Sequence, residues 1–199
     1  MPRPVTHRML ERSSTFDRND HFAQFVAWYM AGRLTPEQIG EHLLEAWVGA
    51  EWPRGIAEDA GLDTHGIVGM FRAAGFLCDA PAVAPPSRPM HLYRGCSESG
   101  AAGFSWTTSL ETARWFAKRE ARFAVAGVRD PEDDGSPVII AAMIDPAHIL
   151  ATVTEGRSEA EVIIDPIGAR DAIFGGRYST DLDIDILPAF PERQRGGAS

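Results

Sequence analysis

The chain has 199 residues, of which 44% are hydrophobic and 24% are charged, a balance typical of a globular protein with an apolar core. Its formal net charge of −9 argues against nucleic acid as a partner, because duplex binding depends on a basic surface. Two cysteines, Cys78 and Cys96, are too few for a disulfide framework, and no spacing of Cys and His suits a metal such as zinc.

The polar start of the chain and the length of its apolar stretches bear on localisation. No stretch reaches the roughly 20 apolar residues of a membrane helix. Residues 1–20 contain no apolar signal-peptide core. We therefore expect a cytoplasmic protein without a membrane partner, unless a dedicated machine exports it to act in a host or target cell.

The first half of the chain has the periodicity of helices. Residues 1–19 are polar and expected to be flexible, and residues 20–86 are expected to form a small helical bundle that ends in a Pro-rich linker. A first helix would bury residues at i, i+3, i+4, i+7 and i+8, which are Phe22, Phe25, Val26, Tyr29 and Met30.

Strong start and stop signals predict the remaining helices of the bundle. Thr35 as N-cap, with Gln38 completing a capping box, predicts a second helix, whose apolar face includes Trp47. A third helix is expected over residues 54–60, and a fourth after Asp63.

The second half of the chain has a mixed pattern, which we assign to one domain over residues 87–191, with a disordered tail over 192–199. Thr108 and Glu111 predict a capping box at the start of a helix. A short helical turn is expected over 146–150. Strands are predicted at Met90–Tyr93, Phe104–Thr107, Val138–Ile144, Val162–Ile164 and Leu182–Leu187. The fold class is therefore α+β.

Arg94 lies between Tyr93 and Gly95 at the end of a predicted strand. The planar fork of an arginine meets phosphate oxygens with two hydrogen bonds, and a glycine beside it would let a flat ligand ring approach the backbone. Considered alone, an arginine at a strand end is more often a surface ion-pair partner. Whether Arg94 binds a ligand therefore has to be judged together with the polar residues that follow it.

Ser105 and Thr107 alternate along a predicted strand, so both side chains should point to one site, while Trp106 points to the core. Glu159 and Glu161 would share a face of an extended chain, and two carboxylates so close repel each other unless a cation lies between them. The alternative interpretation of Glu159 and Glu161 is a solvated acidic loop.

These segments, in this order, resemble the arginine–serine–glutamate group of mono-ADP-ribosyltransferases, in particular a compact bacterial and phage branch. The resemblance covers about the last 110 residues, from His91 on. It implies a core of two packed mixed β-sheets with NAD in the cleft between them. It also implies that NAD is consumed as a substrate, that no metal is needed, and that ADP-ribose passes to an acceptor, as in toxins and effectors of this family.

The resemblance also implies a role for each residue. Glu161 is similar to the catalytic glutamate that pairs with the ribose 2′-hydroxyl, and Glu159 to the upstream residue associated with protein arginine acceptors. Ser105 is similar to the serine that supports the catalytic pocket. Arg94 is similar to the arginine that anchors NAD, with Tyr93, Gly95 and Thr107 completing the NAD-binding set.

Two alternatives remain open from the sequence. The same fold could act as an NAD glycohydrolase, with water as acceptor, or as an inactive NAD-binding module. The small-residue spacing over 56–68 is also compatible with a helix-turn-helix that binds DNA. Its candidate recognition helix, residues 64–71, contains no Arg or Lys, which favours simple bundle packing.

Overall fold

A computed structural model describes residues 5–6, 10, 17–80, 83–125, 136–154 and 160–182. Its helices are α1 (Arg18–Met30), α2 (Pro36–Gly49), α3 (Pro53–Asp59), α4 (Thr64–Ala74), α5 (Leu110–Val125) and α6 (Arg170–Phe174). Its strands are β1 (Leu77–Cys78), β2 (Met90–Ser97), β3 (Ser105–Thr107), β4 (Pro137–Ile144), β5 (Ile149–Val153), β6 (Glu161–Ile164) and β7 (Arg177–Ser179). The α+β fold class is confirmed.

The helical bundle follows its local signals closely. The predicted capping box at the start of α2 is confirmed, since the Gln38 N–H donates to Thr35 Oγ1 over 3.3 Å and the Thr35 N–H donates to Gln38 Oε1 over 3.0 Å. The prediction that Met30 is buried is wrong: its side chain is 48% exposed, because α1 ends there and Gly32 turns the chain at φ +61°. Trp28 is buried in its place.

The helix-turn-helix interpretation rests on α3 and α4. In α4, the side chains of Ile67, Val68, Met70 and Phe71 are all buried in the bundle core. Half of the candidate recognition helix therefore packs inside the protein, and its remaining face carries no cation before Arg72.

The seven described strands form a single hydrogen-bonded sheet in the order β1-β5-β6-β3-β2-β4-β7. The expectation of two separate sheets is therefore wrong for this part of the chain, because the three-residue strand β3 pairs with β6 on one side and β2 on the other. The junction with β2 consists of one registered pair, Tyr93 with Thr107, whereas β3 pairs with β6 over three residues.

Several predicted boundaries shift in the second half. The capping box at Thr108 and Glu111 is wrong: Ser109 caps α5, its Oγ accepting from the Thr112 N–H at 3.1 Å. The turn predicted over 146–150 is a short 3₁₀ helix (Pro146–His148), after which β5 begins. Most of the strand predicted at Leu182–Leu187, and the tail over 192–199, lie outside the described residues.

The two faces of the sheet are covered by different elements. One face carries a continuous apolar cluster, which includes Leu92, Trp106, Ile140 and Val162. Over β5 and β6 the opposite face packs against the helical bundle, and over β2 and β4 it packs against α5. Between the bundle and α5 this face remains partly uncovered.

Trp47 of α2 connects the bundle to the sheet. Its ring makes edge-on contacts with Phe22 and Phe71 in the bundle and with Phe104 just before β3, at centroid distances of 5.1–5.7 Å. The bundle and the sheet therefore share one apolar core, and β1, which precedes the Pro-rich segment, pairs with β5. The division at residue 87 stays a prediction.

None of the helices over the described ranges is both long enough and apolar enough to cross a lipid bilayer.

Candidate active site

A cleft of about 400 Å³ lies on the partly uncovered face, between the helical bundle and α5. Six of the seven residues singled out from the sequence line it; they are Tyr93, Arg94, Gly95, Ser105, Thr107 and Glu161. The seventh, Glu159, lies outside the described residues. Segments that are distant in the chain therefore meet at one site.

The floor of the cleft is a row of three polar residues on adjacent strands. Thr107 pairs with Tyr93 of β2 on one side and with Glu161 of β6 on the other. Directly paired residues point to the same face with Cβ atoms about 5 Å apart. The phenol, the hydroxyl and the carboxylate are therefore immediate neighbours.

Ser105 and Thr107 lie on the same side of β3, as the alternation predicts. The Thr107 side chain is buried, and its Oγ1 accepts the Ser109 N–H at 3.1 Å. This hydroxyl thus fixes the turn into α5. Ser105 is half-buried and borders the same space.

Arg94 is held by backbone carbonyls. Alternation along β2 places it on the face opposite Tyr93, and its guanidinium turns into the loop between β2 and β3. There Nε donates to the Gly100 carbonyl at 3.0 Å and Nη1 to the Ser105 carbonyl at 2.5 Å. A Cβ on Gly103 would overlap this guanidinium. Arg94 therefore borders the cleft while organising its loop.

The structure explains the glycine at position 95 differently from the sequence analysis. A Cβ at this position would overlap the Ala113 carbonyl and lie 2.7 Å from the Ala117 nitrogen of α5. The space on the Cβ side of Gly95 is filled by the helix backbone, and the expectation that a ligand ring approaches its backbone stays a prediction. The glycine is needed because α5 packs directly on β2.

The residue between the two glutamates is not extended. Ala160 has φ +40°, the left-handed region that non-glycine residues rarely adopt, and β6 begins only at Glu161. The argument that Glu159 and Glu161 share a face requires an extended Ala160, so that argument does not hold. The turn at Ala160 sets the direction in which Glu161 enters the sheet.

The bundle supplies one wall of the cleft, which was not assigned from the sequence. Trp47 lies at its base, and Glu51 and Trp52 lie at its rim, where Trp52 is 72% exposed. Glu51 is fixed from α1 by an ion pair with Arg18 and a 2.9 Å hydrogen bond from its N–H to Asn19 Oδ1. The rim is therefore a built part of the bundle.

Helix α5 supplies the opposite wall. Thr112, Phe116, Arg119 and Glu120 line the cleft at i, i+4, i+7 and i+8, which is one helical face. The neighbouring face, with Ala113, packs on the sheet. This spacing was readable in the sequence, but nothing local showed which face of α5 meets the cleft.

Asp165, directly after β6, connects this strand to the bundle. Burial alone would raise the pKa of Asp165, but hydrogen bonds from Gly168, Arg72 and Ile167, with the Arg72 charge, hold it below its ordinary value. The Arg72–Asp165 contact measures 2.7 Å. The end of the strand that carries Glu161 is thereby tied to α4.

Comparison of this chain with models of protein families, with curated proteins and with solved structures finds no match in any of the three. Within the described ranges, no group of three or more His, Cys, Asp or Glu side chains is arranged to hold a metal ion.

Proposed function

We propose that this protein is a mono-ADP-ribosyltransferase that binds NAD in the cleft between the bundle and α5. The observation that carries the proposal is the row Tyr93–Thr107–Glu161 on the cleft floor, with Ser105 and Arg94 bordering the same space. Three segments that are distant in the sequence and that resemble one family's motif line the same cleft, and this supports the proposal. The resemblance also implies a core of two packed mixed sheets. The described strands form one sheet, so this expectation does not support the proposal.

Cleavage of the bond between nicotinamide and ribose requires a carboxylate close to the ribose. Cleavage of the nicotinamide–ribose bond develops positive charge on the ribose, as in glycoside hydrolysis, and Glu161 would stabilise that charge. The nicotinamide leaves as a neutral group from a cationic one, so no general acid is required. Tyr93 and Thr107 beside Glu161 would border the ribose and the nicotinamide.

The acceptor that we propose is a protein arginine, with Glu159 drawing a proton from the guanidinium as the bond forms. A guanidinium titrates above about 12, so it attacks poorly without such a carboxylate. Water is a weaker nucleophile but needs no deprotonation of this kind. NAD glycohydrolysis is therefore the outcome expected if Glu159 does not reach the acceptor.

The test is incubation of the protein with NAD labelled in the adenylate part and with host lysate. Nicotinamide release and label on protein are measured together. Glu161→Gln should lower the rate of both about 10²- to 10³-fold with an unchanged Tm. Glu111→Gln, the same change at an exposed position of α5, is the matched control. Near-normal turnover in Glu161→Gln would remove Glu161 from the mechanism.

The acceptor is tested separately with Glu159→Gln and free agmatine, a small guanidinium compound. The variant should keep releasing nicotinamide while losing transfer to agmatine and to protein. Full transfer by Glu159→Gln would show that the acceptor is not an arginine. Nicotinamide release without any transfer by the unmodified protein would favour the glycohydrolase.

A further inference from the structure

Among the described residues that line the cleft, two are arginines, and their side chains are held in different ways. Arg94 donates to the Gly100 and Ser105 carbonyls. Arg119 of α5 lies against the Trp115 ring, with its Cζ 5.7 Å from the ring centroid. We propose that Arg119 is the residue that binds the pyrophosphate of the dinucleotide, whereas Arg94 shapes the loop beneath it. This inference rests on the proposed function.

The orientation of Arg119 follows from the way α5 is seated. Ala113 and Ala117 are fully buried against β2, and at Gly95 the helix backbone comes so close that no side chain fits. A helix pinned at this position cannot rotate about its axis. Arg119 lies about 200° around the helix axis from Ala117, away from the sheet contact, and it lines the cleft.

Trp115 positions the guanidinium one turn away. A guanidinium within about 6 Å of an indole ring is attracted to the face of the ring, which restricts its position. Its N–H groups can still meet phosphate oxygens in pairs. Trp115 is 54% exposed, so it adds little to the core. Its contact with Arg119 gives this exposed ring a function.

The charge balance of the cleft also requires a cation at this place. Three carboxylates, those of Glu51, Glu120 and Glu161, line the same space. Glu51 is already paired with Arg18, and the two negative charges of a pyrophosphate would add to those of Glu120 and Glu161. Because the Arg94 guanidinium already donates to the Gly100 and Ser105 carbonyls, Arg119 is the guanidinium that we assign to the phosphates.

The experiment measures ADP-ribose binding by isothermal titration calorimetry at several salt concentrations. It compares the unmodified protein with Arg119→Ala, Arg119→Lys and, as a charge-matched control on the same helix, Arg122→Ala, which changes an exposed residue outside the cleft. Arg119→Ala should weaken binding about 10- to 100-fold. Its affinity should also depend less on salt, because one screened charge contact is gone.

Arg119→Lys should recover only part of the affinity, since an ammonium cannot make the paired contacts of a guanidinium. Arg122→Ala should bind within about twofold of the unmodified protein. Trp115→Leu should weaken binding less than Arg119→Ala and lower the salt dependence by less, because the Arg119 charge remains but is no longer held against the ring.

Three other outcomes of this titration experiment are possible, and each would overturn one specific statement. If the unmodified protein binds ADP-ribose and Arg119→Ala binds it equally well, the assignment of Arg119 is wrong and the proposed function stands. If Arg119→Ala loses affinity while its salt dependence is unchanged, Arg119 shapes the cleft without meeting the phosphates, and the assignment is again wrong. If the unmodified protein binds neither NAD nor ADP-ribose, the proposed function itself fails.

Discussion

The two faces of the sheet have the same strands but opposite roles. The closed face is one apolar cluster, in which Trp106 and Val162 lie beside each other on paired strands. The cleft face of the same two strands carries Thr107 and Glu161. A shift of one residue along the chain therefore separates a packing position from a position suited to chemistry.

The cleft exists because the helical bundle and α5 cover different parts of the same sheet face and leave a gap between them. The bundle covers β5 and β6, α5 covers β2 and β4, and β3 lies between the two covers. Polar residues are tolerated on β3 and at the start of β6 because neither cover reaches them fully. The closed face is mainly apolar over the described strands. Its polar exceptions include Arg94, which donates to loop carbonyls, and Thr152, which donates to Cys78 Sγ.

The largest effect that we expect comes from removing the bundle. A fragment that begins at Ser87 should lack cooperative thermal unfolding by circular dichroism, because it loses β1 and uncovers one half of the cleft face. The residues it would expose include Phe104, Leu150, Ala151, Val153 and Ile163. A fragment that unfolds cooperatively and still cleaves NAD would show that the cleft face needs only α5, and that the chain divides at residue 87.

Gly95→Ala should destabilise the packing of α5 on β2. The added Cβ overlaps backbone atoms of α5 that cannot move like a side-chain tip, so we expect a loss of about 3 kcal/mol in the free energy of unfolding. Gly55→Ala is the control, since a Cβ there meets nothing within 4 Å, and in a helix it should be neutral or slightly stabilising. Equal stabilities of the two variants in urea denaturation would show that α5 does not press on β2.

Asp165→Asn should loosen the tie between β6 and the bundle, at a cost of about 1–3 kcal/mol at pH 7. The folded-state pKa of Asp165 lies below its unfolded value, so its contribution is present above the unfolded pKa of about 4 and is lost as the pH falls through the folded pKa. Urea midpoints of the variant and the unmodified protein should therefore converge as the pH falls below the unfolded pKa of about 4. A difference independent of pH would mean that the carboxylate charge is not involved.

Ala160→Gly should have the smallest effect. At φ +40° an alanine is strained and a glycine is not, so the variant should gain up to about 1 kcal/mol of stability. Ala60→Gly, an exposed alanine at φ −77°, should lose a few tenths to about 1 kcal/mol instead. Losses of equal size in thermal unfolding would show that the turn before Glu161 is not left-handed.

The parts of the fold that could be predicted from the sequence are those specified within one turn of chain. The capping box of Thr35 and Gln38 needs only residues three apart, and it is confirmed. The N-cap of α5 was misassigned because Thr108 and Ser109 both suit that position locally. What decides between them is that the buried hydroxyl of Thr107 already accepts the Ser109 N–H.

The short strands β1 and β7, and the bundle wall of the cleft, depend on contacts between distant segments. Two or three residues carry no periodicity, so neither strand had a signal of its own. The residues of the site could be named because their motif is local, whereas Trp52 and Arg119 enter it only through the packing of the bundle and of α5. The part each plays was therefore invisible from the sequence.

The pairing of β1 with β5 has a consequence for the order in which the molecule assembles. Cys78 meets Thr152, 74 residues further along the chain, whereas the four bundle helices contact near neighbours. Local contacts close quickly and distant ones slowly. We expect pulse-labelling hydrogen exchange during refolding to protect α1, α2 and α4 before β3 and β6 pair with each other, because that pairing joins Thr107 to the distant Glu161. The wall of the cleft would then exist before its floor, and Glu161 would reach its place among the last residues to become native.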